Sequence, residues 1–133
     1  MVEWNDGYLV GIDLIDKQHK YFFEIGSNAY KLLNDNSDVD KREEINIIIQ
    51  DLLQYAKYHF KAEENYMIKS QYKDYIMHKA EHDDFVKKIA AIDLDQIQKE
   101  PEKVAQDILA LIFNWLPSHI VLKDKLINAP VSN

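Results

Sequence analysis

The 133-residue chain contains no cysteine. It therefore cannot form disulfides, thiolate zinc sites or cysteine-ligated iron–sulfur clusters, and it has no cysteine nucleophile. A chain without cysteine fits a reducing compartment, and its first residues are acidic and lack the basic and apolar regions of a signal peptide. We therefore expect a cytoplasmic protein.

Glycine and proline are also scarce, at three residues each, whereas 47% of the residues are hydrophobic. This composition is typical of a helical globular protein and argues against disorder. The longest apolar run, from Ile108 to Phe113, is too short to cross a bilayer, so we expect no membrane partner. Acidic residues outnumber basic ones by 23 to 16, so the net charge is -7, and the sequence has no Lys/Arg cluster. We therefore expect no nucleic-acid partner either.

Apolar residues recur at steps of three and four in four segments, which is the spacing of helices with one buried face. A chain of this length predicts a single domain over residues 1–133. We predict an all-α, up-down-up-down antiparallel four-helix bundle with an extended N-terminal arm. The arm is predicted over residues 1–13, and the helices over about residues 15–33, 40–70, 75–92 and 102–122.

All five histidines lie on the apolar stripes of these predicted helices. His78 and His82 are four residues apart, so both imidazoles lie on one face of a helix. His19, His59 and His119 lie in the other three segments, one in each. Burying an imidazole without a partner costs roughly one to a few kcal/mol. A metal centre in the bundle core would serve as partner for all five rings.

Two carboxylates are candidates for the same centre. Glu63 follows His59 by four residues and shares its helix face. Asp124 follows His119 by five residues, which is about 140° away on an ideal helix. It can join the site only if the fourth helix bends or ends there, and Pro117 is a cause of distortion.

Imidazole and carboxylate ligands without thiolate favour iron, manganese or zinc. Seven side chains are too many for one ion but suit two. If both carboxylates bridge and a solvent-derived group also bridges, about eleven of the twelve positions of two octahedral ions are filled. The residues thus predict two ions with one position left for a small ligand.

Four stretches of the sequence together match a known pattern: Asp16-Lys17-Gln18-His19, His59-Phe60-Lys61-Ala62-Glu63-Glu64, His78-Lys79-Ala80-Glu81-His82, and Trp115-Leu116-Pro117-Ser118-His119-Ile120 followed by Asp124. In these stretches the sequence resembles the hemerythrin family, in its bacterial branch. The opening Trp4-Asn5-Asp6 and Val10-Gly11-Ile12 resemble the bacterial proteins in particular. The chain departs from the family pattern at Pro117, next to the expected ligand pocket.

The resemblance implies a non-haem di-iron centre with an oxo or hydroxo bridge. His78, His82 and His119 would hold one iron, His19 and His59 the other, and Glu63 and Asp124 would bridge them. O2 would bind reversibly at an open position on the two-histidine iron, taking two electrons and the bridge proton to become hydroperoxide. The family pattern also implies an apolar pocket beside that position, formed by Phe23, Phe60, Trp115, Leu116 and Ile120.

Other interpretations of the same residues are weaker. His78 to His82 also fits H-x-x-E-H, an inverted zinc-protease motif, but that interpretation leaves three histidines unexplained. A ferritin-like site needs Glu-x-x-His pairs, and the chain has none. Gln18 and Glu64 adjoin candidate ligands, but adjacent helical residues point in different directions, which argues against a role in orienting those ligands. A metal-free structural bundle is the remaining alternative.

The expected function is reversible O2 binding for carriage, storage or delivery. The same centre would also serve an enzyme that reduces O2, peroxide or nitric oxide, or a sensor of O2 or redox state. The expected partner is O2 itself, with an electron donor or an O2-using protein of unknown identity as a further partner.

Overall fold

The computed structural model describes residues 3–35 and 39–128, and within them every regular element is helical. Residues 1 and 2 of the predicted arm lie outside the described residues. Six α-helices follow in chain order: α1 (Asp13–Leu33), α2 (Arg42–Lys69), α3 (Tyr75–Ala90), α4 (Leu94–Lys99), α5 (Pro101–Ala110) and α6 (Leu116–Leu122). A π-helical segment, Leu111–Trp115, joins α5 to α6 into one continuous rod.

The predicted bundle is confirmed, because α1, α2, α3 and the α5–α6 rod pack antiparallel as four main helices. Their apolar faces meet in one core that includes Phe22, Leu52, Phe85 and Ile108, each at most 1% exposed. The core continues directly into the histidine-bearing layer, so the same helical stripes position both.

The segment between α3 and the last rod differs from the sequence prediction, which placed no helix between residues 92 and 102. It contains α4, which begins with a capping box: the Asp93 side chain accepts from Gln96 N, and the Gln96 side chain accepts from Asp93 N. These two bonds satisfy backbone donors that a short helix otherwise exposes. Ile97 then packs into the core and anchors the segment.

The N-terminal arm is extended apart from a 3-10 turn at Asp6–Tyr8. Its end is fixed by Asp16 in the first turn of α1, whose Oδ1 accepts from Val10 N at 2.7 Å and whose Oδ2 accepts from Gly11 N at 3.3 Å. Gly11 has φ +90, a conformation that favours glycine. The arm is therefore held against the bundle by its backbone.

The last rod changes its helical form at two places. The wider π turn at Leu111–Trp115 lies directly before Pro117, which cannot donate a backbone hydrogen bond and whose ring crowds the carbonyl four residues earlier. A Cβ on Gly26 of α1 would lie 2.8 Å from Phe113 Cζ, so glycine permits the close approach of α1 to this segment.

The second change is the end of α6 at Leu122, followed by a 3-10 turn at Asp124–Asn128. The helix thus ends before Asp124, as the geometry of a shared site requires. The end of the helix therefore explains how Asp124 reaches the site. A bend at Pro117 does not explain it, because Pro117 lies upstream of His119.

The stretch Pro101–Asn128 is long and apolar enough to cross a membrane by length and composition alone, with a best 18-residue window of mean hydropathy 1.3. Within that window, 44% is buried in the bundle. The rod packs against α1 and α2 and carries the buried His119, and the turn that follows it carries the buried Asp124. These contacts make it a core helix of the bundle.

Candidate metal centre

The structure brings together all seven side chains that the sequence suggested as ligands. They come from four helices and one turn, and each is at most 5% exposed: His19, His59, Glu63, His78, His82, His119 and Asp124. They form two groups that share Glu63 and Asp124, one with three histidines and one with two.

The three-histidine group is built from α3 and α6. His119 Nε2 lies 3.2 Å from both His78 Nε2 and His82 Nε2. Metal–ligand distances of about 2.1 Å in an octahedral site place neighbouring ligand atoms about 3.0 Å apart. The nitrogens therefore have the spacing of ligands around one cation.

The two-histidine group is built from α1 and α2. His19 Nε2 lies 3.0 Å from Glu63 Oε1 and 3.1 Å from Asp124 Oδ2. His59 Nε2 lies 2.7 Å from the same Glu63 oxygen. His59 and Glu63 are one turn apart on α2, which explains why both point into one layer.

Each carboxylate presents one oxygen to each group. Glu63 directs Oε1 toward His19 and His59, and Oε2 toward His82 at 3.1 Å. Asp124 directs Oδ2 toward His19, and Oδ1 toward His78 at 2.9 Å and His119 at 3.0 Å. This arrangement gives five donor atoms on the three-histidine side and four on the other.

Three buried atoms that face the centre have no hydrogen bond of acceptable geometry, although each lies 2.7 to 3.1 Å from another donor atom of the site: His59 Nε2, Glu63 Oε2 and Asp124 Oδ2. Such atoms are costly to bury unless a partner satisfies them. All three belong to the two groups, so a cation in each group would satisfy them. The donor set thus fits a pair of metal ions.

The two buried carboxylates of the centre, Glu63 and Asp124, need positive charge beside them. Burial opposes protonation of His19 and His78, but close contacts with the Asp124 and Glu63 carboxylates outweigh it and raise the pKa of each histidine to about 9. Burial alone would raise the pKa of Glu63, but its contacts with the surrounding imidazoles hold it well below the usual range. Two protonated imidazoles thus neutralise two buried carboxylates where metal ions would otherwise do so.

His59 behaves differently from His19. Burial lowers its pKa and outweighs the opposite effect of Glu63, so His59 stays neutral. A neutral imidazole is the form that binds a metal.

Three of the five ligand histidines have a side-chain partner on their outer nitrogen, Nδ1. His59 Nδ1 donates to Gln18 Oε1 at 2.7 Å, and His82 Nδ1 donates to Glu64 Oε2 at 2.9 Å. His119 Nδ1 lies 3.1 Å from Glu81 Oε2. Such bonds fix the ring so that Nε2 faces the metal.

The sequence argument against an orienting role for Gln18 and Glu64 was therefore wrong. Neither contacts the ligand beside it in sequence, as that argument held. Each reaches a ligand on the neighbouring helix: Gln18 from α1 to α2, and Glu64 from α2 to α3. Sequence spacing describes only one helix at a time and so misses contacts between helices.

Glu81 was considered only within the zinc-protease motif, and the structure gives it a different contact. It lies between His119 Nδ1 and Lys123 Nζ, at 3.1 and 3.6 Å. A polar residue next to a metal ligand in sequence can therefore indicate a hydrogen-bond partner for a different ligand, one that lies on a neighbouring helix.

The five residues expected to line an O2 pocket are all in or against the core, but in different places. Phe60 stacks on His82 at 4.0 Å and also contacts His59, so it reaches both groups. Trp115 stacks on His119 at 4.3 Å, on the three-histidine side. Phe23 packs against Trp4 and Tyr8 of the arm, and Leu116 and Ile120 are buried in the core.

Comparison with known proteins agrees with this geometry. Residues 10–129 match the family model described as the hemerythrin HHE cation binding domain. The bacteriohemerythrin of Clostridium acetobutylicum is 38% identical to this chain, and the match covers 94% of this chain and 97% of that protein. The bacteriohemerythrin of Methylococcus capsulatus is 36% identical over 86% of this chain and 84% of its own length.

A solved structure is similar as well. The crystal structure of a hemerythrin mutant superposes with a TM-score of 0.78 at 31% identity, over 95% of this chain and 93% of that one. The family match and the shared fold lead to one conclusion: the chain belongs to the hemerythrin family.

Proposed function

We propose that this protein binds O2 reversibly at a pair of iron ions held by the seven side chains. The observation that carries the proposal is the sharing of Glu63 and Asp124, which each present one oxygen to either group of histidines. Two groups that share two carboxylates suit two ions a short distance apart. Iron supplies the electrons that reversible O2 binding requires.

His78, His82 and His119 hold one ion in this proposal, and His19 and His59 hold the other. With an oxo or hydroxo bridge added to the protein donors, the three-histidine ion would have six donors and the two-histidine ion would have five. One position therefore stays open, on the two-histidine side, for a small ligand.

The chain keeps water away from this side. His19 and His59 are 0% exposed, and Phe22 packs edge-on against His59 at 5.1 Å. An apolar, water-excluding surround hinders proton delivery, which would otherwise release reduced oxygen from the site. This favours retention and release of O2 over its consumption.

Family membership supports binding over catalysis, since the relatives in Clostridium acetobutylicum and Methylococcus capsulatus are named bacteriohemerythrins. The absence of cysteine is consistent with our further proposal of a cytoplasmic location, which subcellular fractionation would test. A separate electron donor is proposed as partner, to return oxidised iron to the ferrous state.

The test is an optical cycle on purified, iron-loaded protein reduced under anaerobic conditions. A visible absorption band should appear with O2 and disappear on purging with inert gas, over repeated cycles. A spectrum that passes directly to a stable ferric form would contradict reversible binding.

Glu63→Gln is the informative variant, because it keeps the side-chain shape and removes one of the shared charges. We expect it to lose the reversible band. Glu44→Gln, in the exposed first turn of the same helix, is the matched control and should keep it.

A further inference from the structure

Three tyrosines form a contiguous cluster on the outer side of α1 and α2. Tyr55 lies between Tyr21, at a ring-centroid distance of 4.5 Å, and Tyr58, at 6.0 Å. Tyr21 and Tyr58 are 44% and 60% exposed, and Tyr55 is partly buried. This group, called here the tyrosine cluster, connects the surface with the interior.

The inner end of the cluster is joined to the metal centre by two routes. Phe22 contacts Tyr55 and His59, with both centroid distances at 5.1 Å. The Tyr55 hydroxyl also donates to the Gln18 carbonyl oxygen at 3.3 Å, and the Gln18 side chain accepts from His59 Nδ1 at 2.7 Å. Both routes end on His59, in the group with the proposed open position.

Tyrosine is among the few side chains that can give up one electron and survive as a radical. Short ring-to-ring distances allow such an electron to move from one tyrosine to the next. Core packing does not account for Tyr21 and Tyr58, because both expose their rings to solvent. The Tyr55 hydroxyl is hydrogen-bonded to Gln18, the residue that also holds His59, so the three rings together lead from the surface to the metal centre.

We propose that the tyrosine cluster carries oxidising equivalents from the two-histidine side of the metal centre to the protein surface. The proposal rests on the proposed function, because it requires redox-active iron at His19 and His59. It gives the protein a second activity: disposal of peroxide that forms when O2 is reduced instead of released.

The oxidant is hydrogen peroxide, and the reaction balances with two tyrosines. Each tyrosine loses one electron and its phenolic proton, and the two electrons and two protons convert one H2O2 into two H2O. The O–O bond of peroxide breaks and two phenoxyl radicals remain. Tyr21 and Tyr58 are exposed, so solvent water can accept their phenolic protons.

Two fates follow for the radicals. A soluble one-electron reductant such as ascorbate returns each to tyrosine by supplying one electron and one proton. Without a reductant, two neighbouring radicals join through a carbon–carbon bond between their rings, and the two displaced ring protons restore both phenols. Tyr21 and Tyr55 are the closest pair for this cross-link.

The test treats diferric protein with hydrogen peroxide, without reductant. Freeze-quench electron paramagnetic resonance should detect a tyrosyl radical, and peptide mass spectrometry should locate a dityrosine cross-link within the cluster. Zinc-loaded protein gives the background level, because zinc does not change its oxidation state. Added ascorbate should suppress the cross-link.

The triple variant Tyr21→Phe, Tyr55→Phe, Tyr58→Phe keeps the three rings and removes the oxidisable hydroxyls. Its tyrosyl signal should fall to the zinc background, while iron content and the O2 absorption band stay as in the wild type. Tyr30→Phe, an exposed position elsewhere on α1, is the control and should leave the radical yield unchanged.

A radical of undiminished yield in the triple variant, or one located instead on Trp115, which stacks on His119, would overturn the proposal. Iron-loaded wild type that binds O2 but yields no tyrosyl radical would also overturn it and leave the proposed function intact. Protein that takes up no iron would overturn both.

Discussion

At the scale of single residues, the contact between Gln18 and His59 shows how the site is built outward from its ligands. Gln18 is 4% exposed, and its amide oxygen accepts a hydrogen bond from His59 Nδ1. This contact leaves His59 Nε2 directed at the two-histidine group. A neutral amide holds this ring, whereas carboxylates of Glu64 and Glu81 hold His82 and His119.

Removal of this amide should weaken only one of the two metal positions. We expect Gln18→Ala to lower the affinity for one ion by about 10- to 100-fold, because partners of ligand histidines contribute on that order. A competitive chelator titration should then become biphasic. Lys17→Ala, on the exposed side of the same helix turn, should leave the titration unchanged, and equal weakening of both ions would contradict this account.

The raised pKa values of His19 and His78 predict how the metal-free protein responds to pH. Each value is about 9 in the folded chain against the ordinary 6.5, so folding favours the protonated forms. Their stabilising effect is fully present below pH 6.5 and is lost as the pH rises through about 9. We expect the free energy of unfolding to fall by an amount on the order of a few kcal/mol across this window.

Urea denaturation of metal-free protein at several pH values measures this loss. Metal-loaded protein is the control, because metal ions then balance Glu63 and Asp124 and the imidazoles carry no extra proton. An unfolding free energy that rises between pH 6.5 and 9 in metal-free protein would contradict the charge balance assigned to the site.

Residue patterns predicted the inner part of the site and missed the outer part for a physical reason. A spacing of four residues on one helix places His59 with Glu63, and His78 with His82, whatever the rest of the fold does. Gln18, Glu64 and Glu81 act across helix interfaces. Their contacts depend on helix rotation and separation, which no single stretch of sequence encodes.

At the scale of elements, the rod from Pro101 to Leu122 carries the largest departure from regular geometry. Helical spacing predicted one helix there, and the structure replaces its middle with the π segment at Leu111–Trp115. Pro117 signalled a distortion, but periodicity alone could not locate it. Ile112 within this segment and Leu116 directly after it are both buried, so the π turn stays packed in the core.

Restoring a backbone donor at this point should stabilise the rod. We expect Pro117→Ala to raise the free energy of unfolding by roughly 1 to 3 kcal/mol, since proline in a helix interior costs about that much. Iron content should stay the same, because His119 and Asp124 lie downstream of the π turn.

Chemical denaturation of the variant measures the gain. Ser118→Ala, an exposed neighbour, is the control and should change stability by only a few tenths of a kcal/mol. A destabilised Pro117→Ala protein would show that proline favours the π turn rather than straining it.

At the scale of the whole molecule, the antiparallel bundle was predictable because four amphipathic stripes leave few other ways to bury their apolar faces. The same stripes end at one layer of polar residues, so the fold and the site are specified together. The sequence could not specify α4, whose apolar anchor is the single residue Ile97. Periodicity needs several turns to be visible, and this helix has six residues.

We infer that one chain holds two iron ions on seven side chains, of which Glu63 and Asp124 face both ions. An anaerobic titration of metal-free protein with ferrous iron, with iron and protein quantified independently, tests it most directly. Uptake should stop at two irons per chain, and Glu63→Gln should take up fewer. A stoichiometry of one or none in the wild type, or an unchanged count in Glu63→Gln, would contradict it.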